Sequence, residues 1–428
     1  MANTFKFGNG NWAVKDGYAL AYNDENNNFK PLPFDFTRAS SATRVNKQGL
    51  IETVGSGKPR IDFLDNTSGH LLLEPSRTNL VTDSEDFTQW ANTGSETTDT
   101  ADSAISLDGS LNATKLQEAN SNFGYHRLSK TITASSATDY ALSIFVKKGT
   151  QKYIQLLLLS TSNSFAASKV FDLENGTLGE TIINGTATLT DAKIEDFGNG
   201  WYRCTIIAQL STAPNTFRVN LANAATGNTK SLGMVQYTGD GNGNIYIWGA
   251  QLEAGSYATS YIPTQGSVVT RLADSCSQTA PDGVIGQTEG TVFLDSKMAL
   301  QNINNYQLFS INNGGGSDRI RILTATGNRL RFIYQLDGGD LAYNFYNPTD
   351  YGDLTSLKIA FTYKSGDIKV YINGVLVDSS TNTFTIAEKL IDIDIASSAG
   401  GYSQMFFNDV KLYNTALTDQ ELQALTTI

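Results

Sequence analysis

Residues 248–271 read WGAQLEAGSYATSYIPTQGSVVTR, and this stretch divides the chain. Leading into it, Ile245, Ile247 and Gly249 alternate with Tyr246, Trp248 and Ala250. A period of two marks a strand with one buried face. Gly255 then offers a turn, and Pro263, with no N–H to donate, stops further regular pairing. One domain therefore closes near residue 265. A matching mark lies upstream in HLLLEPSRTNL, residues 70–80, where the apolar run Leu71 to Leu73 is cut by Pro75. The residues between these marks, 80–265, read as one domain.

Strand patterns recur through that domain. YALSIFVK (140–147) alternates strongly, YIQLLLL (153–159) is apolar on both faces, and WYRCTIIAQL (201–210) is the clearest strand. Gly, Asn and Asp turns separate them, as in a sandwich or jelly roll. A single sheet would leave too much apolar surface in water, so a second sheet is required. Residues 266–289, rich in Ser, Thr, Gln, Asp and Gly, read as a linker. Residues 290–428 return to strands, and YINGVLV (371–377) holds an Asn-Gly hairpin turn. The end differs in kind: Thr418 with Glu421 forms a capping box for a short helix that turns Leu417, Leu422 and Leu425 to the sheet. Residues 1–69 are polar and aperiodic. They are ordered only against a partner, or they extend a sheet of the next domain. The fold expected is all-β: an N-terminal region, 1–79, followed by two antiparallel β-sandwich (jelly-roll) domains, 80–265 and 290–428.

The composition narrows the function. Only 17% of residues are charged, so Asn, Ser, Thr, Gln and Tyr must supply the polar surface. The net charge of −11 repels nucleic acid and anionic membranes, and no Lys/Arg cluster is evident to offset it. MANTFKFGNG lacks the apolar run of a signal peptide, and no stretch is long enough to span a membrane. Synthesis in a cytoplasm without export by that route is expected. Two cysteines make no disulfide framework. Cys204 reads as a small buried hydrophobe, and Cys276 as a free thiol in the polar linker.

The segments FDFTRASSATRVNKQGLIE, PRIDF, HLLLEPSRTNLV, SEDFTQW, WYRC and GAQLEAGSYATSYIPTQGSVVTR, in that order over residues 34–271, resemble a family of bacteriophage virion proteins. These are head spikes, head fibres or tail-associated receptor-binding proteins. The resemblance implies a virion location, attachment to other capsid or tail proteins and to a host surface glycan, and a symmetric homo-oligomer, a trimer before a dimer. It makes residues 1–79 the attachment and oligomerisation region. The last 140 or so residues separately resemble a laminin-G-like, concanavalin-A-like jelly roll, on YINGVLVD and VKLYNTALTDQEL. That resemblance implies calcium as an optional ligand, with Asp318, Asp337 and Asp340 as oxygen donors.

No HExxH, GxSxG, P-loop or dinucleotide fingerprint is present, and no cofactor, resident metal or catalytic residue is expected. His70 and His126 are isolated among apolar residues. Asp392 and Asp394 in LIDIDI share one strand face: a solvated face, a carboxylate pair for glycoside cleavage, or calcium ligands. Trp90, Trp201 and Trp248 read as core. Arg38, Arg44 and Arg77 each make an interface ion pair, a structural salt bridge, or neither. Sugar sites place aromatic faces beside Asn, Asp and Gln. Tyr334, Tyr343, Phe345, Tyr346 and Tyr351 read as exposed, around the loop YNFYNPTDYG. The candidate glycan site is therefore Tyr343, Asn344, Tyr346, Asn347, Asp350 and Tyr351. The acidic protein should favour neutral or cation-screened glycans over strongly anionic ones. Two further readings stand beside a non-enzymatic, glycan-binding virion protein: a ligand-free decoration protein and a glycan-degrading virion enzyme.

Overall fold

A computed structural model describes residues 4–8, 13–15, 18–23, 32–92, 96–135, 138–160, 164–300, 304–314, 318–336, 341–352, 354–396 and 403–428. The fold is all-β, in antiparallel sheets. Among the described residues, helix is limited to the 3-10 turn Phe87–Gln89 and to Asp419–Thr426. No helix in them is long and apolar enough to cross a membrane. The chain divides into two compact units. A central unit holds Gln48–Glu52 and Arg77–Arg271; a terminal unit holds Met1–Lys47, Thr53–Ser76 and Leu272–Ile428.

The central unit packs a six-stranded sheet and a five-stranded sheet around one core. Asp139–Lys148, Trp201–Gln209 and Asn244–Ala254 lie adjacent in the first sheet. Tyr153–Ser160 lies inside the second, between Pro214–Ala222 and Ala166–Asp172. Leu142, Ile144 and Val146 meet Ile154, Leu156 and Leu158 in this core. Each such side chain contributes about 1.5–3 kcal/mol when buried. In Asn244–Ala254 the alternation predicted from the sequence changes phase. Ile245 and Ile247 face the core, but so do Ala250 and Leu252. A bulge at Gly249 sets the extra residue against the neighbouring strand, whose register shifts between Ser143 and Phe145. Gly249 has φ +62°, and a Cβ there would stand 2.8 Å from the Phe145 ring, so glycine is required.

The rest of the quoted stretch folds back over its own strand. Trp248, Phe145 and Tyr261 pack together on the second face of the sheet, with ring centroids 4.9–6.0 Å apart. Gln251 accepts from Ile262 N–H at 2.6 Å, and Glu253 accepts from Thr259 N–H at 2.8 Å. Asn79 donates to the carbonyls of Ala250 and Ile262 and accepts from Val81 and Leu252. Buried amide and carboxylate side chains thus satisfy backbone that makes no ladder of its own. Trp90, Trp201 and Trp248 are buried, as expected.

The terminal unit is built from distant segments. One sheet runs Met405–Tyr413, Glu289–Met298, Thr355–Lys364, Ile368–Ile372, Val375–Ser380. In the facing sheet the described strands run Leu32–Thr37, Ser275–Thr279, Asp392–Ala396, Gln307–Asn312, Arg319–Ala325, Arg329–Gln335, Leu341–Tyr346, and Tyr18–Asn23 pairs with the other edge of Leu32–Thr37. This organisation differs from the expected division at 79/80 and 265/266. Thr4–Gly8 and His70–Leu73 both pair with Met405–Tyr413, and Phe34, Phe36, Ile61, Leu71 and Leu73 join the core. Thr4–Gly8, Leu32–Thr37, Arg60–Asp62 and His70–Leu73 thus extend the sheets of the last domain, whereas Gln48–Glu52 and Arg77–Asn79 belong to the central unit. The expected linker is also structured. Ser275–Thr279 lies inside the sheet, and Cys276, read as a linker thiol, is free but buried in the core. Burial pushes both cysteine thiols well above their ordinary range. The hairpin turn and final helix stand as expected. Asn373 and Gly374 have φ +50° and +80°. Thr418 caps Glu421, and Leu417, Leu422 and Leu425 pack on Phe293, Ala360 and Tyr371.

A buried ion network ties the distant segments together. Arg60 pairs with Glu74 and Asp274, each at 2.6 Å, and Arg38 pairs with Asp274 at 3.0 Å; all four side chains are fully buried. Asp274 also accepts from Glu74 N–H, and Glu74 from Gln404. Burial alone would lower the Arg60 pKa, but the charges of Asp274 and Glu74 outweigh it and hold the guanidinium protonated. Arg38 is therefore a structural salt bridge. Arg44 donates to the Ile61 carbonyl, and Arg77 lies over the Tyr257 ring at 5.0 Å.

Candidate functional site

The sheet that holds Arg319–Ala325, Arg329–Gln335 and Leu341–Tyr346 turns one face outward. Ile320, Ile322, Leu330 and Phe332 enter the core, so their alternating neighbours point away from it. Across neighbouring strands, Ser277, Asp394, Ser310, Arg321, Ile333 and Asn344 stand in one register row. The face is polar and unevenly charged. Asp392 and Asp394 lie toward one side, bonded to Thr279 and Asn312. Burial first, and then the charge of Asp392, raises the Asp394 pKa above its ordinary value. Arg319, Arg321, Arg329 and Arg331 lie toward the other, on two adjacent strands.

The structure divides the sequence-predicted glycan residues. They do not form one loop: Tyr343, Asn344 and Tyr346 are on the strand Leu341–Tyr346. Tyr343 is buried and donates its hydroxyl to Asp378, and Tyr334 is buried in the same core. Phe345 and Tyr351 pack against that core at its edge. Asn347 is buried, donating to the Tyr351 hydroxyl and accepting from Thr349 N–H. Asp350 accepts from Gly352 N–H and shapes the turn. The exposure expected for Tyr334, Tyr343 and Phe345 is thus corrected: strand alternation carries Tyr343 and Phe345 inward. Tyr346, 47% exposed, and Asn344 remain on the outer face. There they meet Arg331, whose guanidinium covers the Tyr346 ring at 4.5 Å and donates to Asn344 Oδ1 at 2.9 Å.

The arginines are the residues that sequence reasoning missed, since no Lys/Arg cluster was read in the chain. The signal was available in RIRIL (319–323) and RLRF (329–332). Arginines two apart, interleaved with core residues, must share a strand face. Only the pairing of the two strands doubles their density.

The central unit has a cleft of about 730 Å³ lined by Glu85, Asp86, Asp102, Asn112, Thr264 and Gln265, among others. Burial, and then the nearby charge of Asp108, raises the Glu85 pKa above its ordinary value, against the lowering effect of the bond from the Tyr261 hydroxyl. His70 and His126 each have local partners. His70 Nε2 lies 3.5 Å from Asp62, and the His126 nitrogens meet the carbonyls of Glu96 and Tyr237. Asp318, named for calcium, is buried and accepts from Glu388 N–H; Asp337 and Asp340 fall outside the described residues. Among the described residues, no group of three or more His, Cys, Asp or Glu side chains converges to hold a metal ion.

Comparison with known proteins finds similarity for part of this sandwich. Residues 278–423 match the model of the concanavalin A-like lectin/glucanases superfamily. The terminal unit therefore carries a laminin-G-like, concanavalin A-like lectin-type domain. Among solved structures, the chain is similar to the carbohydrate-binding module CBM40 of the Ruminococcus gnavus IT-sialidase bound to α2,3 sialyllactose. Identity is 18%, over 36% of this chain and 92% of that one, with a TM-score of 0.31. It is also similar to domain 4 of AbnA, an extracellular arabinanase from Geobacillus stearothermophilus, in complex with arabinotriose. There identity is 18%, over 40% of this chain and 82% of that one, with a TM-score of 0.29. No curated protein matches the chain.

Proposed function

We propose that the chain is a bacteriophage virion structural protein, a head fibre, spike or tail-associated fibre, that attaches the particle to a host surface glycan without cleaving it. The lectin-type domain and the ordered segments over residues 34–271 support this reading. One observation carries it: an exposed tyrosine, Tyr346, stands on an outward polar sheet face beside Asn344 and Arg331. A sugar presents an apolar C–H face rimmed by hydroxyls, which an aromatic ring and flanking amides complement. Single contacts are weak, and several copies on one particle raise the effective affinity by orders of magnitude.

The test is a glycan array probed with the full chain in multivalent form, with and without calcium. Retention that falls at least tenfold in Tyr346→Ala, with the far-ultraviolet spectrum unchanged, is expected. Retention of nothing under either condition puts the ligand-free decoration protein in its place. The Glu85 cleft favours the glycan-degrading enzyme as second reading, and release of new reducing ends that stops in Glu85→Gln would establish it. A homotrimer is expected in sedimentation of the full chain. Deleting residues 1–69 does not test assembly, because it removes strands from the terminal sandwich.

A further inference from the structure

We infer that the face of Arg319–Ala325, Arg329–Gln335 and Leu341–Tyr346 binds the carboxylate of an acidic sugar within the host glycan, through Arg321 and Arg331. This deepens the glycan-binding reading and rests on it.

The register sets the geometry. Arg321 stands opposite Ile333, and Ile333 opposite Asn344; Arg331 stands opposite Leu323 on one side and Tyr346 on the other. Arg321 and Arg331 are thus diagonal neighbours on one face, with Arg319 and Arg329 two residues along each strand. Like charges on paired strands are destabilising. Such a cluster is costlier still when partly withdrawn from water. Burial first, and then the charges of Arg319 and Arg331, push the Arg321 pKa below its ordinary value. A chain of net charge −11 has carboxylates to spare for neutralising it. Yet among the described residues neither Arg321 nor Arg331 bonds to one. Arg321 donates through Nη2 to Gln335 Oε1 at 2.9 Å, and its buried Nε has no partner. Arg331 donates to Asn344 Oδ1 and to Asn305 Oδ1 at 2.9 and 2.6 Å.

Among the described residues, the side-chain partners of both guanidinium groups are therefore neutral amides, which orient them without adding a negative charge. A planar guanidinium with unspent donors matches a carboxylate bidentately. The stacking ring of Tyr346 and the amide of Asn344 beside it suit the sugar that bears the carboxylate. A nucleic acid also offers anions and rings, but the −11 field opposes a long polyanion, whereas a single carboxylate meets only the local face. The preference for neutral glycans expected from net charge is thereby reversed at this face.

The test uses the full chain on an array that pairs oligogalacturonate, oligomannuronate and sialyl-oligosaccharides with their methyl esters, with dextran and dextran sulfate alongside. The expected result is at least one acidic probe held tenfold or more tightly than its own ester. That binding should weaken as salt rises, and fall tenfold in Arg321→Gln/Arg331→Gln with the far-ultraviolet spectrum unchanged. Arg331→Lys keeps the charge and loses the planar fork, and should retain part of the binding. Equal binding of acid and ester, or acid binding that survives the double Gln variant, overturns the inference and leaves glycan attachment standing. Retention of dextran sulfate alone overturns it in favour of polyanion exchange. Retention of no probe overturns both.

Discussion

The two units are both antiparallel sandwiches, yet they close by different means. The central unit is almost contiguous, and its strands are long: nine residues in Trp201–Gln209, ten in Asp139–Lys148, eleven in Asn244–Ala254. Alternation over that length specifies register, because a slip of one residue would expose a whole apolar row. Its closing segment is then held by neutral and carboxylate side chains bonding to backbone. The terminal unit recruits strands of three and four residues, Arg60–Asp62 and His70–Leu73, from more than 300 residues away from Met405–Tyr413. Such short strands carry little register information of their own. The Arg38–Asp274–Arg60–Glu74 network supplies directional contacts that only one docking satisfies. A buried ion network is a weak source of net stability, and the role we propose for this one is uniqueness, because a wrong arrangement would strand a charge. The outward surfaces differ in the same sense: an open, arginine-bearing sheet face on the terminal unit and a carboxylate-lined cleft on the central one.

The largest effect tests that comparison directly. Asp274→Asn leaves Arg38 and Arg60 buried with one partner charge fewer, and should destabilise the terminal unit by about 3–5 kcal/mol. Hydrogen exchange followed by mass spectrometry should show lost protection in residues 32–47, 53–76 and 272–428 and unchanged protection in 48–52 and 77–271. Equal loss in both units would break the distinction.

The next effect is local. Thr418→Ala removes the cap from Asp419–Thr426 and should cost about 1 kcal/mol, read as faster exchange at the helix amides and in the sheet patch beneath Leu422. Loss of protection throughout the terminal unit would show that the helix is part of its cooperative core.

The smallest effect concerns the cleft. Glu85 is a half-buried acid with a raised pKa, so the folded chain binds its proton more tightly than the unfolded chain. Stability therefore falls as pH rises from its ordinary value of 4.5 through the raised one, and the penalty persists above. Glu85→Gln keeps an acceptor for the Tyr261 hydroxyl and removes the penalty. Its Tm should exceed that of the parent by no more than about 2–4 °C near neutral pH. The gain should vanish below pH 4.5. A gain that is independent of pH would mean that Glu85 does not titrate in this window.

By itself the sequence determined the all-β class, the existence of the long strands, the core tryptophans, the Asn373-Gly374 hairpin and the capped final helix. Each of these rests on residues within a few positions of one another, where side-chain period, turn chemistry and capping act directly. Only the tertiary structure decided which strands meet. It carried Leu32–Thr37, Arg60–Asp62 and His70–Leu73 to the last domain, turned an apparent linker into an interior strand, and sent Tyr343 inward while leaving Tyr346 in solvent. It also brought two unremarked Arg-x-Arg pairs into one cationic face. The physical reason is common to all four. A strand's sequence sets which residues share a face, but its hydrogen-bonding edges are the same backbone groups everywhere. The choice of partner, and with it the chemistry of the assembled face, is made by packing across the whole chain.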